Sequence, residues 1–439
     1  MTEIRSERES KPGSEPKANP EPKSKSERMF RDPDYLKMFV SVGASQVGLQ
    51  IAYFSISIIA VVVLDLSESQ IGVLYAMDQI ALVMFGLLVG VWVDRMRDKP
   101  IIVVSEILRA AVLLSVPVAW ALDMLTIWHV FAAMFLLGLA SVFFDVAQAS
   151  FVPRLMDNGS LAGGNSRIQG IRSTSDTGGP LAAGPLVSLL TAPVAIVVAV
   201  VSFALSALAV ARIKYREDEP ERPEKPHIGA EIAQGVKFIF QDTILRNILL
   251  ASTWCNLSIG AFQAMLMVFL IREADQSSTV AGFVLAGSGV GGILGAMLVG
   301  RISKKAGVGP TALVALAISG PGMAIVAASG PGWGAAVAFL GQVVFVAAVV
   351  VFNVNVISYR QAVTPDDMQG RVGATQRVIC WAAMAAGSIL GGLGGELFNA
   401  RAVLLIASVM LCLGFLPLLR TPFRTLREIP KEHELGAQA

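Results

Sequence analysis

The chain has 439 residues, of which 54% are hydrophobic and only 15% charged, and its mean hydropathy is +0.63. A water-soluble domain uses about 45–50% apolar residues, so a soluble domain of this length is excluded and most of the chain must face lipid. The formal net charge of +2 gives no basic excess for a nucleic-acid partner, and in a membrane chain the placement of charge counts for more than its sum.

In chain order, residues 1–36 are rich in Ser, Pro, Glu and Lys. They bury too little apolar surface to offset chain entropy and are expected to form a disordered cytoplasmic tail. With no apolar stretch near Met1, no cleavable signal peptide is expected. From Val40 to Leu64 there is no charge before Asp65, which meets the requirement of roughly 20 apolar residues for a hydrocarbon core of about 30 Å. Apolar runs of this kind predict twelve spans. Six lie near 38–64, 69–93, 100–122, 127–151, 165–190 and 193–212, and six near 246–271, 278–300, 309–329, 333–358, 372–395 and 399–419.

The expected fold is therefore an all-α polytopic membrane protein with 12 transmembrane helices in two six-helix bundles, 37–212 and 246–420, and both termini cytoplasmic. Lysine and arginine set that orientation. Arg95, Arg97, Lys99, Arg154, Arg167 and Arg172, the block from Arg212 to Arg246, Arg301, Lys304, Lys305, Arg360 and Arg371 all fall on the inner side with the 421–439 tail. Of the thirty-five basic residues only Arg109, Arg272 and Arg401 fall in a span or outside. The linker, 213–245, carries Pro220, Pro223 and Pro226, and then Ile232, Val236, Ile239 and Phe240 at helical spacing. This predicts an amphipathic helix over Ile228 to Phe240 along the inner surface.

Ionisable groups inside spans are functional candidates because a carboxylate there costs about 2.5–3.5 kcal/mol on insertion scales. Asp145 comes eight residues before Pro153, about 12 Å from the inner end, and shares a helix face with Gly138, Ser141 and Gln148. Asp78, in the second span, is a second candidate for protonation. Glu106 and Arg109, three residues apart, are read as a structural ion pair on one face of the third span. Cys255, Cys380 and Cys412 are scattered in apolar runs and read as packing. His129, His227 and His433 are equally scattered, so no metal site is expected. Gly287, Gly289 and Gly292 satisfy G-x-G-x-x-G, but no strand precedes them, and close helix packing explains them better than a dinucleotide. There is no G-x-x-x-x-G-K-[ST] loop for ATP, no cofactor is expected, and no catalytic cluster marks an enzyme.

Gly86, Gly90, Asp94 and Arg95 at the end of the second span match Gly292, Ala296, Gly300 and Arg301 at the end of the eighth, a weak repeat of the two halves. The segment GLLVGVWVDRMRDK, Gly86 to Lys99, resembles motif A of the major facilitator superfamily. FFDVAQASFVPRLM, GGPLAAGPL and RQAVTPDDMQGRVGATQR are similar to its bacterial drug-and-siderophore proton antiporter branch, which includes macrolide and enterobactin exporters. The resemblance covers nearly everything after the tail, and GGPLAAGPL looks like the antiporter motif of the fifth span. One departure is clear: Ala132 to Ala140 lacks the arginine of motif B, so the family's proton relay does not carry over.

The resemblance implies that Asp94 contacts the start of the eleventh helix near Arg371, gating with Arg95 and Lys99. It also implies that the first, fourth, seventh and tenth spans line a central cavity. Polar stripes occur in all four: Gln46, Gln50, Tyr53 and Ser57; Asp145 and Gln148; Ser252, Asn256 and Gln263; Gln342, Phe345 and Asn353. The implied function is proton-coupled export of a small amphipathic molecule by alternating access, in a monomer spanning the bilayer of a bacterial inner membrane. An importer or lysophospholipid flippase of the same fold is the alternative, and a non-transporting membrane sensor is a weaker one.

Overall fold

The computed structural model describes residues 33–93, 95–155, 161–215, 217, 228–330 and 332–428. The expected N-terminal tail and Asp94 lie almost wholly or wholly outside them. Within the described residues the chain is helical throughout, with no strand. The first group comprises α1 (Pro33–Ile58), α2 (Glu68–Val93), α3 (Asp98–Ala121), α4 (Ile127–Arg154), α5 (Leu161–Leu190) and α6 (Ala192–Ala211). Helix α7 (Ile228–Gln241) leads into the second group: α8 (Thr243–Val268), α9 (Ser278–Ala306), α10 (Val308–Ala327), α11 (Gly334–Val363), α12 (Asp366–Leu397), α13 (Ala400–Leu413) and the short α14 (Leu416–Leu419).

Eleven of the described helical segments are long and apolar enough to cross a membrane, α13 and α14 counting as one. Helix α5 is the exception. It is 30 residues long, but Gln169, Arg172, Ser173 and Asp176 lower its hydropathy. Gln169, Ser173 and Asp176 line the space between the two groups and Arg172 pairs with α4, so lipid does not set the composition there.

Local chemistry fixes the helix ends. Asp242 caps α8 by accepting from the amides of Ile244 and Leu245 at 2.7 and 2.8 Å, and Asn399 caps α13 by accepting from Ala402 N at 2.7 Å. Such caps satisfy amides that the helix cannot. At the entry to α1, the Asp34 carboxylate accepts from the amides of Lys214 and Tyr215 at 2.9 and 3.0 Å, and Lys37 Nζ donates to Arg212 O at 2.8 Å. The start of α1 is thereby tied to the end of α6.

The two groups share an internal repeat at the other end of the molecule. Helix α1 ends in a π-helical turn, Ile59–Val63, and α8 ends in another, Phe269–Glu273. Each is followed by an aspartate in the left-handed region, Asp65 at φ 45° and Asp275 at φ 51°, which aspartate tolerates better than most residues. A serine then opens the next helix: Ser67 Oγ accepts from Gln70 N, and Ser277 Oγ from Val280 N. This correspondence pairs Gly72 with Gly282. It runs one helical turn out of step with the Gly86–Gly292 match drawn from the helix ends, so the match from the ends does not extend along the whole helix.

Helix α1 packs on α5 and α6, α3 on α4 and α6, and α2 on α4, while α8 packs on α12 and α13, α9 on α11, and α10 on α11 and α13. The groups meet chiefly through α2 against α12 and α5 against α9. Helix α7 packs on α12 and α8. Ile239 is buried there, but Phe240, expected on the same apolar face, is 49% exposed. The side chain of Ile232 lies outside the described residues.

Candidate functional site: a two-carboxylate cavity

The two helix contacts that join the groups are close at one end only. A Cβ on Gly72 would stand 2.5 Å from Ser388 O and 2.8 Å from Gly392 Cα; one on Gly282 would stand 2.4 Å from Pro180 O and 3.0 Å from Gly184 Cα. Only glycine permits such an approach of backbones. The same end carries a cross-group ion pair. Arg272, at the end of α8, donates to Asp65 Oδ1 at 2.7 Å, Glu68 Oε1 at 3.2 Å, and the carbonyls of Val61 and Leu66 at 3.0 and 2.9 Å.

At the opposite end, where Arg95, Arg97, Lys99, Lys304 and Lys305 cluster, the helices are apart. Gly90, Gly292, Gly300, Gly170 and Gly370 have no neighbouring atom within 4 Å of a built Cβ, and Gly86 meets only Leu82 of its own helix. The molecule is therefore sealed at its far end and open at its basic end. The motif residues follow from that. Arg371 Nη1 donates to Gln234 Oε1 of α7 at 2.7 Å, and Lys99 donates through Nζ to Ile213 O at 2.5 Å and through its amide to Glu217 Oε1 at 3.0 Å. Arg95 is exposed, and Asp94 lies outside the described residues.

Between the groups lies a cavity of about 590 Å³, lined by α1, α2, α4 and α5 on one side and α8, α9 and α11 on the other. Two carboxylates stand in its wall. Tyr53 on α1 donates through its hydroxyl to Asp78 Oδ1 on α2 at 2.8 Å, and Gln50 on α1 donates through Nε2 to Asp176 Oδ1 on α5 at 2.5 Å. Gly138 on α4 makes room for the first pair, since a Cβ there would stand 2.7 Å from Asp78 Oδ1; Gly179 makes room for the second, its Cβ falling 2.4 Å from Gln50 Cβ. Apolar wall comes from Phe54, Met134, Leu266, Met267, Phe345 and Val346. Among the described residues no group of three His, Cys, Asp or Glu could hold a metal ion.

Of the residues expected in the cavity, Gln50, Tyr53, Gln263 and Gln342 line it, as does Asp78. Gln46, Asp145, Gln148, Asn256 and Asn353 are not among its lining residues. Helix α4 contributes Met134, and Asp145 comes three turns further along, about 16 Å towards the open end. There Asp145 is half-exposed and paired with Arg172 of α5 at 3.1 Å. Gln148 is buried and accepts from the same guanidinium at 3.1 Å. Asn256 donates to Ser252 O of its own helix at 2.8 Å. On α11 the wall is made by Gln342, Phe345, Val346, Val350 and Val354, and Asn353, next to the last of these, is exposed. Gln46 is half-buried on α1, a turn from Gln50.

Asp176 and Gln79, both in the wall, were missed. The rule that picked out Asp78 and Asp145 applied equally to Asp176, a carboxylate inside an expected span. Glu106 and Arg109 lie away from the cavity, 0% and 1% exposed. Arg109 Nη1 donates to Ser45 Oγ at 2.9 Å and to Glu106 Oε1 at 3.4 Å, and Ser206 Oγ donates to Glu106 Oε1 at 3.0 Å. The guanidinium carbon sits 4.5 and 5.5 Å from the Phe144 and Phe203 ring centroids.

Two helix groups around a central cavity, with an internal repeat, is the plan of many secondary transporters, and sequence comparison decides which. The family model described as Major Facilitator Superfamily matches residues 38–387. The chain belongs to that superfamily. Among superfamily relatives it is similar to the multidrug efflux pump Tap of Mycolicibacterium fortuitum, 24% identical over 353 residues that cover 76% of this chain and 84% of Tap. A mutant of the nucleoside transporter NupG superposes with a TM-score of 0.73 at 13% identity, covering 88% of this chain and 98% of its own. A bacterial homologue of the iron transporter ferroportin in its inward-facing state gives 0.67 at 16%, covering 86% and 98%. At these identities the structural likenesses speak to fold alone. Membership of the superfamily, shown by the match over residues 38–387, makes the chain a multi-pass membrane transporter of small molecules.

Proposed function

We propose that this superfamily member exports small amphipathic molecules from the cytoplasm of a bacterial cell in exchange for protons, with Asp78 as the residue that carries the proton. The basic end is taken as cytoplasmic from the distribution of lysine and arginine, so the conformation seen is open to the inside. The observation that carries the reading is the position of Asp78: a membrane-embedded carboxylate in the wall of a cavity open at one end and sealed at the other, held by one neutral donor, Tyr53. Proton binding can drive a conformational change only if the group's proton affinity differs between the two states. Asp78 supplies such a difference because closing the basic end and opening the far end exchanges the water it faces. The similarity to an efflux pump supports the direction of transport.

Asp145 fits the role less well, since it is half-exposed and has its own counter-ion in Arg172. The test is transport in everted membrane vesicles energised by a pH gradient, comparing the unmodified protein with Asp78→Asn and Asp145→Asn. Asp78→Asn abolishes gradient-driven uptake while substrate exchange in the absence of a gradient persists, and Asp145→Asn keeps gradient-driven uptake. Undiminished gradient-driven uptake by Asp78→Asn removes this residue from the mechanism.

A further inference from the structure

The cavity wall has a one-sided charge. Asp78 and Asp176 stand in it, and among the described residues that line it there is no lysine, arginine or histidine. Arg172, on α5, is already engaged with Asp145 and Gln148, and Arg109, on α3 outside the wall, with Glu106 and Ser45. The donors that hold the two carboxylates, Tyr53 and Gln50, are neutral, so the wall contains no positive charge to balance them.

A second, independent feature points the same way. Gln79 on α2 and Gln342 on α11 line the cavity while being only 5% and 6% exposed, and the side-chain carbonyl oxygen of each lacks a hydrogen-bond partner. A buried acceptor without a partner costs free energy. Phe54, Tyr75 and Phe345 add aromatic faces, which attract cations through the ring quadrupole. In surroundings of reduced dielectric an organic anion meets like charge here, and a cation meets its counter-charge.

We infer that the cavity is a site for amphipathic organic cations, with Asp176 as the group that faces the positive charge and the Phe54, Leu266, Met267 and Phe345 surfaces taking the apolar body. This rests on the reading of the cavity as the transport site and specifies the charge of what it transports.

The experiment uses two probes of nearly the same shape and opposite charge, tetraphenylphosphonium and tetraphenylborate, with binding to the purified full chain followed by equilibrium dialysis. The phosphonium binds roughly tenfold or more tightly than the borate, the scale set by one unlike charge a few ångströms away at intermediate dielectric. Asp176→Asn removes most of that preference and Asp176→Glu retains it, the second variant showing that the site still folds. Equal affinities, tighter binding of the borate, no binding of either ion, or an unchanged preference in Asp176→Asn overturns the inference. The transport reading fails separately, when everted vesicles accumulate no member of a panel of neutral and charged amphiphiles under a pH gradient.

Discussion

Arg109 and Glu106 bring opposite charges into the interior of the first helix group, where neither side chain reaches lipid, water or the cavity. Their ion pair is long, 3.4 Å, and the guanidinium is completed by Ser45 and by the faces of Phe144 and Phe203. A buried pair of this kind contributes little beyond what matched apolar residues would, but losing one partner strands a charge, at a cost of about 3–5 kcal/mol. Arg109→Met is therefore expected to lower the melting temperature in detergent sharply. The double variant Arg109→Met with Glu106→Gln is expected to recover most of the loss, which differential scanning fluorimetry checks. No recovery in the double variant would mean that Arg109 acts through something other than Glu106. The pairing was legible from the three-residue spacing. The completion by Ser45 and the two phenylalanines was not, because it joins α1, α3, α4 and α6 from across the chain.

At the scale of elements, the glycines divide into two kinds. Gly72, Gly184, Gly282 and Gly392 sit where backbones touch, and Gly86, Gly90, Gly292 and Gly300 sit where no other helix comes close. Gly392→Leu places a side chain against Glu68 O, 2.6 Å from its Cβ, and the Gly72 backbone, and should hold the far end ajar. Gly90→Leu meets nothing in this conformation and should obstruct only the closing of the basic end. With a cysteine introduced at Gln263 of the cavity, in a background free of Cys255, Cys380 and Cys412, thiol labelling from the far side should rise several-fold in Gly392→Leu. It should stay unchanged or fall in Gly90→Leu. Equal labelling in the two variants would contradict the assignment of the contacts. The sequence showed these helices as apolar runs, and eleven of them stand as expected. Helix α5 was expected over 165–190 with the rest but falls short of a span's hydropathy, since a helix that gives one face to a polar cavity loses apolar residues there. The repeat of aspartate, serine and glycine in Asp65, Ser67 and Gly72 and again in Asp275, Ser277 and Gly282 was legible in principle. The basic motif at the helix ends drew the alignment one turn away from it.

For the whole molecule, the cavity's position between the groups was foreseeable once the superfamily resemblance was drawn, but the residues in its wall were only partly so. Periodicity orders the residues of one helix around its axis and says nothing about how far the helix slides or turns against its neighbours. Asp145 shares a face with Met134 yet lies about 16 Å beyond it, and Asp176 reaches the wall because α5 crosses α1 at Gln50. The conformation itself was not legible at all. In the proposed alternating access it depends on a balance between the glycine contacts and Arg272 at the far end and contacts of Gly86 and Gly90 that would form when the basic end closes.

That balance gives the account its most direct test: electron–electron distances between spin labels placed in pairs across the two groups, Met96 with Lys305 at the basic end and Met124 with Trp333 at the far end, all exposed positions. Arg272→Gln removes the cross-group ion pair with Asp65 and Glu68. Alternating access predicts that in this variant the far-end distance lengthens while the basic-end distance shortens. Both distances growing together, or neither moving, would contradict a single cavity opened to one side at a time.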